Sequence, residues 1–345
     1  MRWQLPTPGG HNPATVRGAA WTASAVLLLT LAGCAATPGN AQAPGGTETR
    51  TVTDVEGTEV QVPSRPRRVV TLSEPTLDGA LALGVTPVGT VTGRGQQTVP
   101  NYLADQAGDI PILGGVAQPN FEAIGAAKPD LILVDGTSIN NNPPVVEALR
   151  QIAPVVYTGY AGGDWRVNFR QVADALNLVE DGERVIAEYE AHAAAGQEAL
   201  SAYADQTFSV VRWQGTSASL ILKELLPGQA LEDLGLGRPP SQDRTGRGHA
   251  EPVSLENLQD ADADWMFFGT LGGSSVSNPD AGGTADLAGA REALDEAVAV
   301  PGFTQLHAYQ NDRIVLVDGS AWTSTGGPIL MNRIIADVEE ALLGT

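Results

Sequence analysis

The sequence predicts an α/β protein whose two lobes are joined by a helical stretch. In the first half, short apolar runs bounded by glycine or proline alternate with segments of helical periodicity, which is typical of a parallel α/β lobe. Two helical segments follow near the middle of the chain, and the alternation then resumes. With 345 residues, 42% of them apolar and 17% charged, the chain has an ordinary globular composition and enough length for two cores.

The first half begins with a predicted hairpin. Residues 51–62 alternate between apolar and polar types around Glu56-Gly57, which favours a tight turn. After Pro63, four short apolar runs predict buried strands, and the segments between them predict helices. The predicted strands cover residues 68–72, 88–91, 131–134 and 155–157, and the predicted helices cover residues 75–83, 121–127 and 141–152.

The second half is predicted to begin after two consecutive helices. The first starts at Trp165, because apolar residues recur at helical spacing after Asp164, a good N-cap residue, and it runs to Asn177. The last helix starts near Pro328, since proline is favoured in a first turn. The second helix covers residues 181–203, the clearest strands cover 209–213, 265–268 and 314–317, and residues 269–289 are predicted to be a long loop, either a functional rim or disordered.

The first 34 residues have the features of an export signal. Arg2 and Arg17 are the only charges before Cys34, and the apolar run between them and Cys34 is shorter than the roughly 20 residues that span a bilayer. The run ends in Leu31-Ala32-Gly33-Cys34, which resembles the bacterial lipobox, whose cysteine is diacylated and stably anchored. We expect a lipoprotein signal peptide over residues 1–33, lipidation at Cys34 and a flexible tether over residues 34–50. The alternative is an ordinary signal peptide, or an uncleaved anchor, with a chance cysteine.

The composition disfavours several classes of protein. Forty acidic residues against 20 basic ones give a net charge of −20, which disfavours nucleic acid as a partner. A single cysteine cannot form an intramolecular disulfide or a zinc–thiolate cluster. The four histidines are widely spaced, so no metal site is predicted. The sequence lacks a serine-nucleophile elbow, a phosphate-binding loop and a His-Glu-x-x-His motif, so we predict neither an enzyme nor a cofactor.

A series of short segments carries a family resemblance. They include Asn120-Phe121-Glu122 and Ser254-Leu255-Glu256, and their order and spacing are together more specific than any one of them. The segments are residues 53–57, 66–73, 82–89, 119–124, 128–132, 253–258, 263–265 and 312–315, running on to Trp322 and residues 326–328. Over roughly residues 51–343 the sequence resembles the periplasmic-binding-protein family that serves iron–siderophore, haem and cobalamin ABC importers.

The resemblance implies a more specific architecture. It implies two Rossmann-like α/β lobes joined by a single rigid helix, with a ligand cleft between them. The corresponding boundaries are residues 51–164 for the N-terminal lobe, 165–178 for the interlobe helix and 179–345 for the C-terminal lobe. It also implies that Glu122 and Glu256, one on each lobe, pair with arginines of the permease. By itself, each glutamate could equally be a favourable acid in the first turn of a helix.

The resemblance further implies a cleft that binds a ferric siderophore, with Fe³⁺ arriving in the ligand. Such chelates are often anionic and rich in oxygen, so we expect arginines and aromatic residues at strand ends and in loops. The predicted ligand-binding residues are Arg94, Tyr102, Arg212, Trp213, Arg244, Arg247 and Trp322. Each arginine could instead be solvated or ion-paired, and each tryptophan could belong to a core.

The alternatives to a siderophore receptor remain open. Haem or cobalamin is the second choice of ligand, and His249 is the residue that could ligate haem. A third possibility is an envelope interaction protein that retains the fold without transport. In the preferred interpretation the protein acts as a monomer and partners a membrane permease.

Overall fold

The structure is a computed structural model that describes residues 48–344, except 117, 137, 140–141, 247, 249 and 273–282. Cys34, the predicted signal peptide and most of the predicted tether therefore lie outside the described residues. The described part opens with strands β1 (Thr49–Thr53) and β2 (Glu59–Pro63), which pair antiparallel as the predicted hairpin. Gly57 adopts a positive φ of 78° in the turn, a conformation that glycine accepts at little cost.

The N-terminal sheet region is built from short strands that alternate with helices. Strands β3, β7 and β8 form one parallel sheet. Strands β4, β5 and β6 form a second sheet, in which β4 and β5 are parallel and β6 is antiparallel to β5, and a parallel bridge between Val70 and Gly89 connects it to the first. The strands are β3 (Val69–Thr71), β4 (Thr90–Thr92), β5 (Ile112–Gly115), β6 (Gln118–Pro119), β7 (Leu131–Val134) and β8 (Val155–Tyr157). The helices are α1 (Glu74–Ala82), α2 (Ala104–Ala107), α3 (Phe121–Ala126) and α4 (Pro143–Arg150), with a 3-10 turn over Asn101–Leu103.

Two helices lead from the N-terminal sheets to the C-terminal sheet. Helix α5 (Trp165–Leu176) forms where it is predicted, and the Asp164 carboxylate accepts a hydrogen bond from the Arg166 amide at 2.9 Å. Helix α6 (Val179–Ala199) follows after Asn177 and Leu178 alone. Two consecutive helices are predicted here, over residues 165–177 and 181–203, and α5 and α6 correspond to them. The assignment of residues 165–178 as the interlobe helix stays a prediction.

The C-terminal sheet has five strands in the order β11-β10-β9-β12-β13. Strands β9, β12 and β13 are parallel, and β10 is antiparallel to both β9 and β11. The strands are β9 (Phe208–Gln214), β10 (Ser217–Leu220), β11 (Glu251–Val253), β12 (Trp265–Gly269) and β13 (Ile314–Leu316). The helices are α7 (Leu226–Asp233), α8 (Leu287–Val298), α9 (His307–Gln310), α10 (Gly319–Trp322) and α11 (Pro328–Leu343), with 3-10 turns over Ser201–Tyr203, Leu255–Ala261 and Phe303–Gln305.

Helix α5 contributes to the cores of both sheet regions. Its C-terminal half places Val172 and Leu176 among the buried residues of the N-terminal region. Its N-terminal half places Trp165 and Phe169 in a cluster with residues of β9, α6 and α11. Because one rigid element is packed into two cores, the two regions are held together along its length.

Candidate functional site

Two arginines predicted to bind ligand lie at the facing edges of the two sheet regions. Arg94 follows β4, and Arg212 lies near the end of β9, so each extends from the carboxyl edge of its own parallel strands. Burial and, as a smaller effect, the positive charge of Arg94 together lower the pKa of Arg212 to about 10. Hydrogen bonds place the two segments close together: Glu74 accepts from the Arg94 amide and the Ser324 hydroxyl, and Arg212 donates to Thr323, the residue before Ser324.

Arg212 retains unused hydrogen-bonding capacity. Its Nη1 donates to the backbone oxygen of Thr323 at 3.3 Å. Its Nε is buried and, within the described part of the chain, has no hydrogen-bond partner. A buried donor without a partner is costly, whereas an anionic oxygen placed there would form a charge-assisted hydrogen bond. The Arg94–Arg212 pair is therefore suited to hold a carboxylate or another anionic oxygen ligand.

A buried carboxylate that the sequence analysis overlooked lies beside this pair. Glu74 is the first residue of α1, and its Oε1 accepts hydrogen bonds from the Arg94 amide at 2.7 Å and the Ser324 hydroxyl at 3.4 Å. The Glu74 carboxylate thus joins the loop after β4 to the segment before α11. An acid directly after a predicted buried strand is the sequence signal that could have identified it, because carboxyl ends of parallel strands meet at one edge.

The two carboxyl edges approach each other closely at two loops. A Cβ on Gly95, whose φ is +72°, would lie 2.1 Å from the backbone oxygen of Leu271, so glycine alone permits this contact. A Cβ on Gly162 would similarly lie 2.9 Å from the Cα of Gly248. Between the two regions lies a narrow cavity, whose lining residues include Pro75, Asp135, Thr158, Trp165 and Gly326.

Tyr102 lies between the two regions, in contact with a buried acid. Its hydroxyl donates to Asp78 Oδ2 at 3.1 Å, and its amide donates to the Ser320 hydroxyl at 3.4 Å. Burial and the neighbouring negative charges of Asp78 and Glu74 raise the pKa of Tyr102 well above its usual value. Through Asp78 and Ser320, Tyr102 contacts residues of both regions, so we place it at their junction. Its contact with a ligand stays a prediction.

The two predicted tryptophans are core residues. Trp213 is fully buried, and its ring nitrogen donates to the Gly215 backbone oxygen at 2.6 Å. Trp322 is also fully buried, stacks on Phe267 at 4.2 Å between ring centroids and donates to Asp337 at 2.8 Å. Successive residues of a strand point to opposite faces, so Trp213 cannot share the face of its neighbour Arg212. The prediction that these rings line the ligand site is not supported.

The predicted arginine loop is only partly described. Arg244 forms a bidentate pair with Glu251, at 2.9 Å for Nη1–Oε2 and 2.5 Å for Nη2–Oε1. The planar fork that would hold an anionic ligand is therefore occupied by a carboxylate of the protein. Arg247 and His249 lie outside the described residues.

The two predicted docking glutamates are exposed on different sheet regions. Glu122 lies in the first turn of α3, and Glu256 in the first turn of the 3-10 helix after β11. Each has the first-turn position that favours an acid.

No cluster of three or more histidine, cysteine or acidic residues suited to a metal ion occurs in the described ranges. Within these same ranges, no helix combines the length and apolar character needed to span a membrane.

Comparisons with known proteins agree with this geometry. The Periplasmic binding protein family model matches residues 69–321. The probable siderophore-binding lipoprotein YfiY of Bacillus subtilis (strain 168) is 28% identical over 327 residues, covering 93% of this chain and 96% of its own. The Fe(3+) dicitrate-binding periplasmic protein FecB of Escherichia coli (strain K12) is 27% identical over 293 residues, covering 83% and 88%.

A solved structure shares the fold as well. The crystal structure of Staphylococcus aureus SirA complexed with staphyloferrin B superposes with a TM-score of 0.70 at 26% identity, covering 86% of this chain and 99% of the SirA chain. The family model spans most of the described residues, including both sheet regions. The chain therefore belongs to the periplasmic binding protein family.

Proposed function

We propose that the protein is an extracytoplasmic substrate-binding protein of an ABC importer, which binds a ferric siderophore and delivers it to the permease. The observation that carries this proposal is the contact between the carboxyl edges of two separate sheets, where Glu74 joins Arg94 to Ser324 and Arg212 donates to Thr323. A small-molecule site between two regions is the general expectation for such a fold. The role requires binding without chemical change, and the members of the family are transport receptors rather than enzymes.

An anionic, oxygen-rich chelate is the cargo that fits these groups best. Arg94 and Arg212 place two guanidinium groups at this edge, so anionic oxygens can find donors here although the whole chain carries −20. Exposed charges farther than a Debye length of about 8 Å are largely screened at physiological salt, so the distant acids do not cancel this local charge. The names of the relatives point the same way, because they refer to siderophores and ferric dicitrate.

The location and partner follow the same family logic. We propose that Cys34 carries the lipid anchor and that residues 34–50 are the tether that connects it to the folded part. Glu122 and Glu256 are proposed to pair with basic residues of the permease, one on each sheet region. Charge pairs of this kind set orientation and speed encounter more than they add affinity.

The arginine pair is tested by replacing it. Arg94→Gln and Arg212→Gln should each weaken binding of an anionic ferric chelate by about tenfold or more, because a desolvated charge-assisted hydrogen bond is lost. Isothermal titration calorimetry with ferric citrate, ferric staphyloferrin B, ferri-bacillibactin, haem and cobalamin measures the affinity and identifies the ligand class.

The matched control is Arg170→Gln on α5. Arg170 pairs with Glu183 at 2.6 and 2.9 Å on the exposed side of the helix, so its loss should leave chelate affinity unchanged. Binding of haem or cobalamin alone would reject the siderophore proposal in favour of the other ligands of this family. Equal affinity in Arg94→Gln, Arg212→Gln and the unmodified protein would remove the arginine pair from the site.

A further inference from the structure

Two short segments in different sheet regions have the same local construction. In each, a polar N-cap residue precedes a large apolar residue, and a glutamate follows. In the first, Asn120 accepts a hydrogen bond from the Ala123 amide at 3.0 Å, and Phe121 and Glu122 begin α3. In the second, Ser254 has the extended backbone of an N-cap, and Leu255 and Glu256 begin the 3-10 helix. The repetition places an apolar and an acidic side chain next to each other twice.

The apolar member of each pair is exposed, although its helix has another residue in the core. Phe121 is 38% exposed and Leu255 is 41% exposed. Three residues later, Ile124 and Leu258 are buried in the cores of their respective regions. Ile124 and Leu258 already anchor the two turns in the cores. The exposed side chains of Phe121 and Leu255 are therefore not needed to hold the helices in place.

Both segments directly follow the end strand of their sheet, β6 in the order β4-β5-β6 and β11 in the order β11-β10-β9-β12-β13. Strand β6 runs antiparallel to β5, and the Asn120 amide donates to the Leu113 backbone oxygen at 2.8 Å just before Phe121. In the other region, Val253 pairs with Ala218, which pairs with Trp213 near the end of β9, two residues before Leu255. Each segment therefore lies at the side of its sheet, where a partner protein can reach it.

We propose that Phe121 with Glu122, and Leu255 with Glu256, form two bipartite docking points for the permease, each combining an apolar and an anionic contact. The proposal rests on the proposed transport function and adds the apolar half to each point. The partner it requires is a membrane protein surface that presents, twice, a basic side chain beside an apolar recess.

Energetic reasoning favours an apolar contribution. Exposed ion pairs contribute little to affinity, so two glutamates at the surface can orient a partner but can hardly retain it. A well-packed aromatic or aliphatic anchor contributes more, and water exclusion around it strengthens adjacent charge pairs. In the described ranges neither Glu122 nor Glu256 has an ion-pair or hydrogen-bond partner in its own chain, so both remain available to a basic partner.

The double variant Phe121→Ser with Leu255→Ser tests the apolar half. The full-length gene carrying both changes replaces the original gene in the native host cell. Uptake is then measured with the ⁵⁵Fe complex that the purified protein binds. We expect uptake to fall about tenfold, while the affinity of the purified variant for the same complex stays unchanged. Glu122→Ala with Glu256→Ala reports the anionic half in the same assay. The conservative variant Phe121→Leu keeps an apolar side chain and should retain most of the uptake.

The matched control is Leu287→Ser with Val167→Ser. Leu287 is 56% exposed and is also the first residue of a helix after a capping residue, Asp286, but alanine follows it instead of glutamate. Val167 is 50% exposed on α5. Uptake by this control should equal that of the unmodified protein. Normal uptake by the Phe121/Leu255 variant, or an equal loss in the control, would overturn the docking proposal. Failure of the proposed transport function would be recognised separately, because the unmodified protein would then neither bind nor import the iron complex.

Discussion

At the scale of single residues, neighbouring side chains in one strand have different fates. Arg212 and Trp213 are adjacent in β9, yet Arg212 donates to the Thr323 backbone oxygen while Trp213 is buried among Phe268 and Phe303. The pleat of the strand requires this, since successive side chains point to opposite faces. The strand geometry therefore places the Trp213 ring in the core, although its chemistry would suit contact with a ligand.

Trp322→Phe distinguishes a core tryptophan from a ligand contact. The change removes the hydrogen bond to Asp337 and part of the stack on Phe267, so we expect the free energy of unfolding to fall by about 1–2 kcal/mol. Chelate affinity, measured by calorimetry, should remain unchanged. The opposite pattern, with weakened binding at full stability, would return Trp322 to the ligand site. Arg94→Gln serves as the reference for that opposite pattern.

At the scale of elements, the junction between α5 and α6 depends on one backbone conformation. Asn177 ends α5 in the left-handed region, at φ 59° and ψ 39°, and its side-chain amide donates to the Ser64 backbone oxygen at 3.1 Å. Asparagine tolerates this region better than most residues, and it is a common helix C-cap. Because α6 begins two residues later, this single residue sets the direction in which the chain leaves α5.

Asn177→Val should destabilise the protein. A β-branched residue in the left-handed region costs about 1–2 kcal/mol, and the contact with Ser64 is lost as well. Asn177→Gly is the matched control, because it loses the same contact but accepts the backbone conformation. Urea unfolding followed by circular dichroism gives both values. If glycine and valine were equally destabilising, the side-chain hydrogen bond rather than the backbone would be the important feature.

At the scale of the whole molecule, a buried acid links the N-terminal region to the last helix. Asp78 on α1 accepts hydrogen bonds from the backbone amides of Ile329 and Leu330, both at 3.0 Å, at the start of α11. Tyr102 donates to the same carboxylate. Burial raises the pKa of Asp78 from 3.8 to about 6, and these hydrogen bonds oppose the rise without cancelling it. The contact between these segments, about 250 positions apart in the chain, thus depends on a side chain that titrates.

The pH dependence of stability should report this group. Since the folded pKa is raised, the native state takes up a proton that the unfolded chain lacks between pH 6 and 4. Its stabilising contribution is complete below pH 3.8 and is lost as the pH rises through about 6, a change of up to about 3 kcal/mol. The stability difference between the unmodified protein and Asp78→Asn, measured by urea unfolding, should therefore shrink or reverse as the pH rises.

A matched acid should behave in the opposite way. Asp286 caps α8, and hydrogen bonds from Thr284 and the Gly289 amide lower its pKa. Its contribution should be present above pH 3.8 and lost as the pH falls below that value. The Asp286→Asn variant should therefore lose stability relative to the unmodified protein at neutral pH and approach it in acid. For Asp78, a pH profile of the Asp78→Asn variant parallel to that of the unmodified protein would contradict the raised pKa and its effect on stability.

Sequence patterns located the elements with strong periodicity but not the short polar ones. Strands β7 and β8, the start of α5 and the start of α11 lie where the pattern places them. Helix α8 begins inside the segment predicted as a loop, because its buried positions are mainly alanines, which give a weak apolar signal. Strands β5, β6, β10 and β11 are short and rich in glycine or polar residues, so they depend on their neighbours in the sheet.

By itself, the sequence determined the α/β alternation, the family resemblance, and the candidates Arg94, Arg212, Glu122 and Glu256, because periodicity and local motifs are written along the chain. Only the tertiary structure decided which candidates lie near each other: it placed Arg94 and Arg212 at facing edges, added Glu74 between Arg94 and Ser324, and placed Trp213 and Trp322 in the core. The physical reason is that burial and proximity between distant segments arise from packing, which no local pattern encodes.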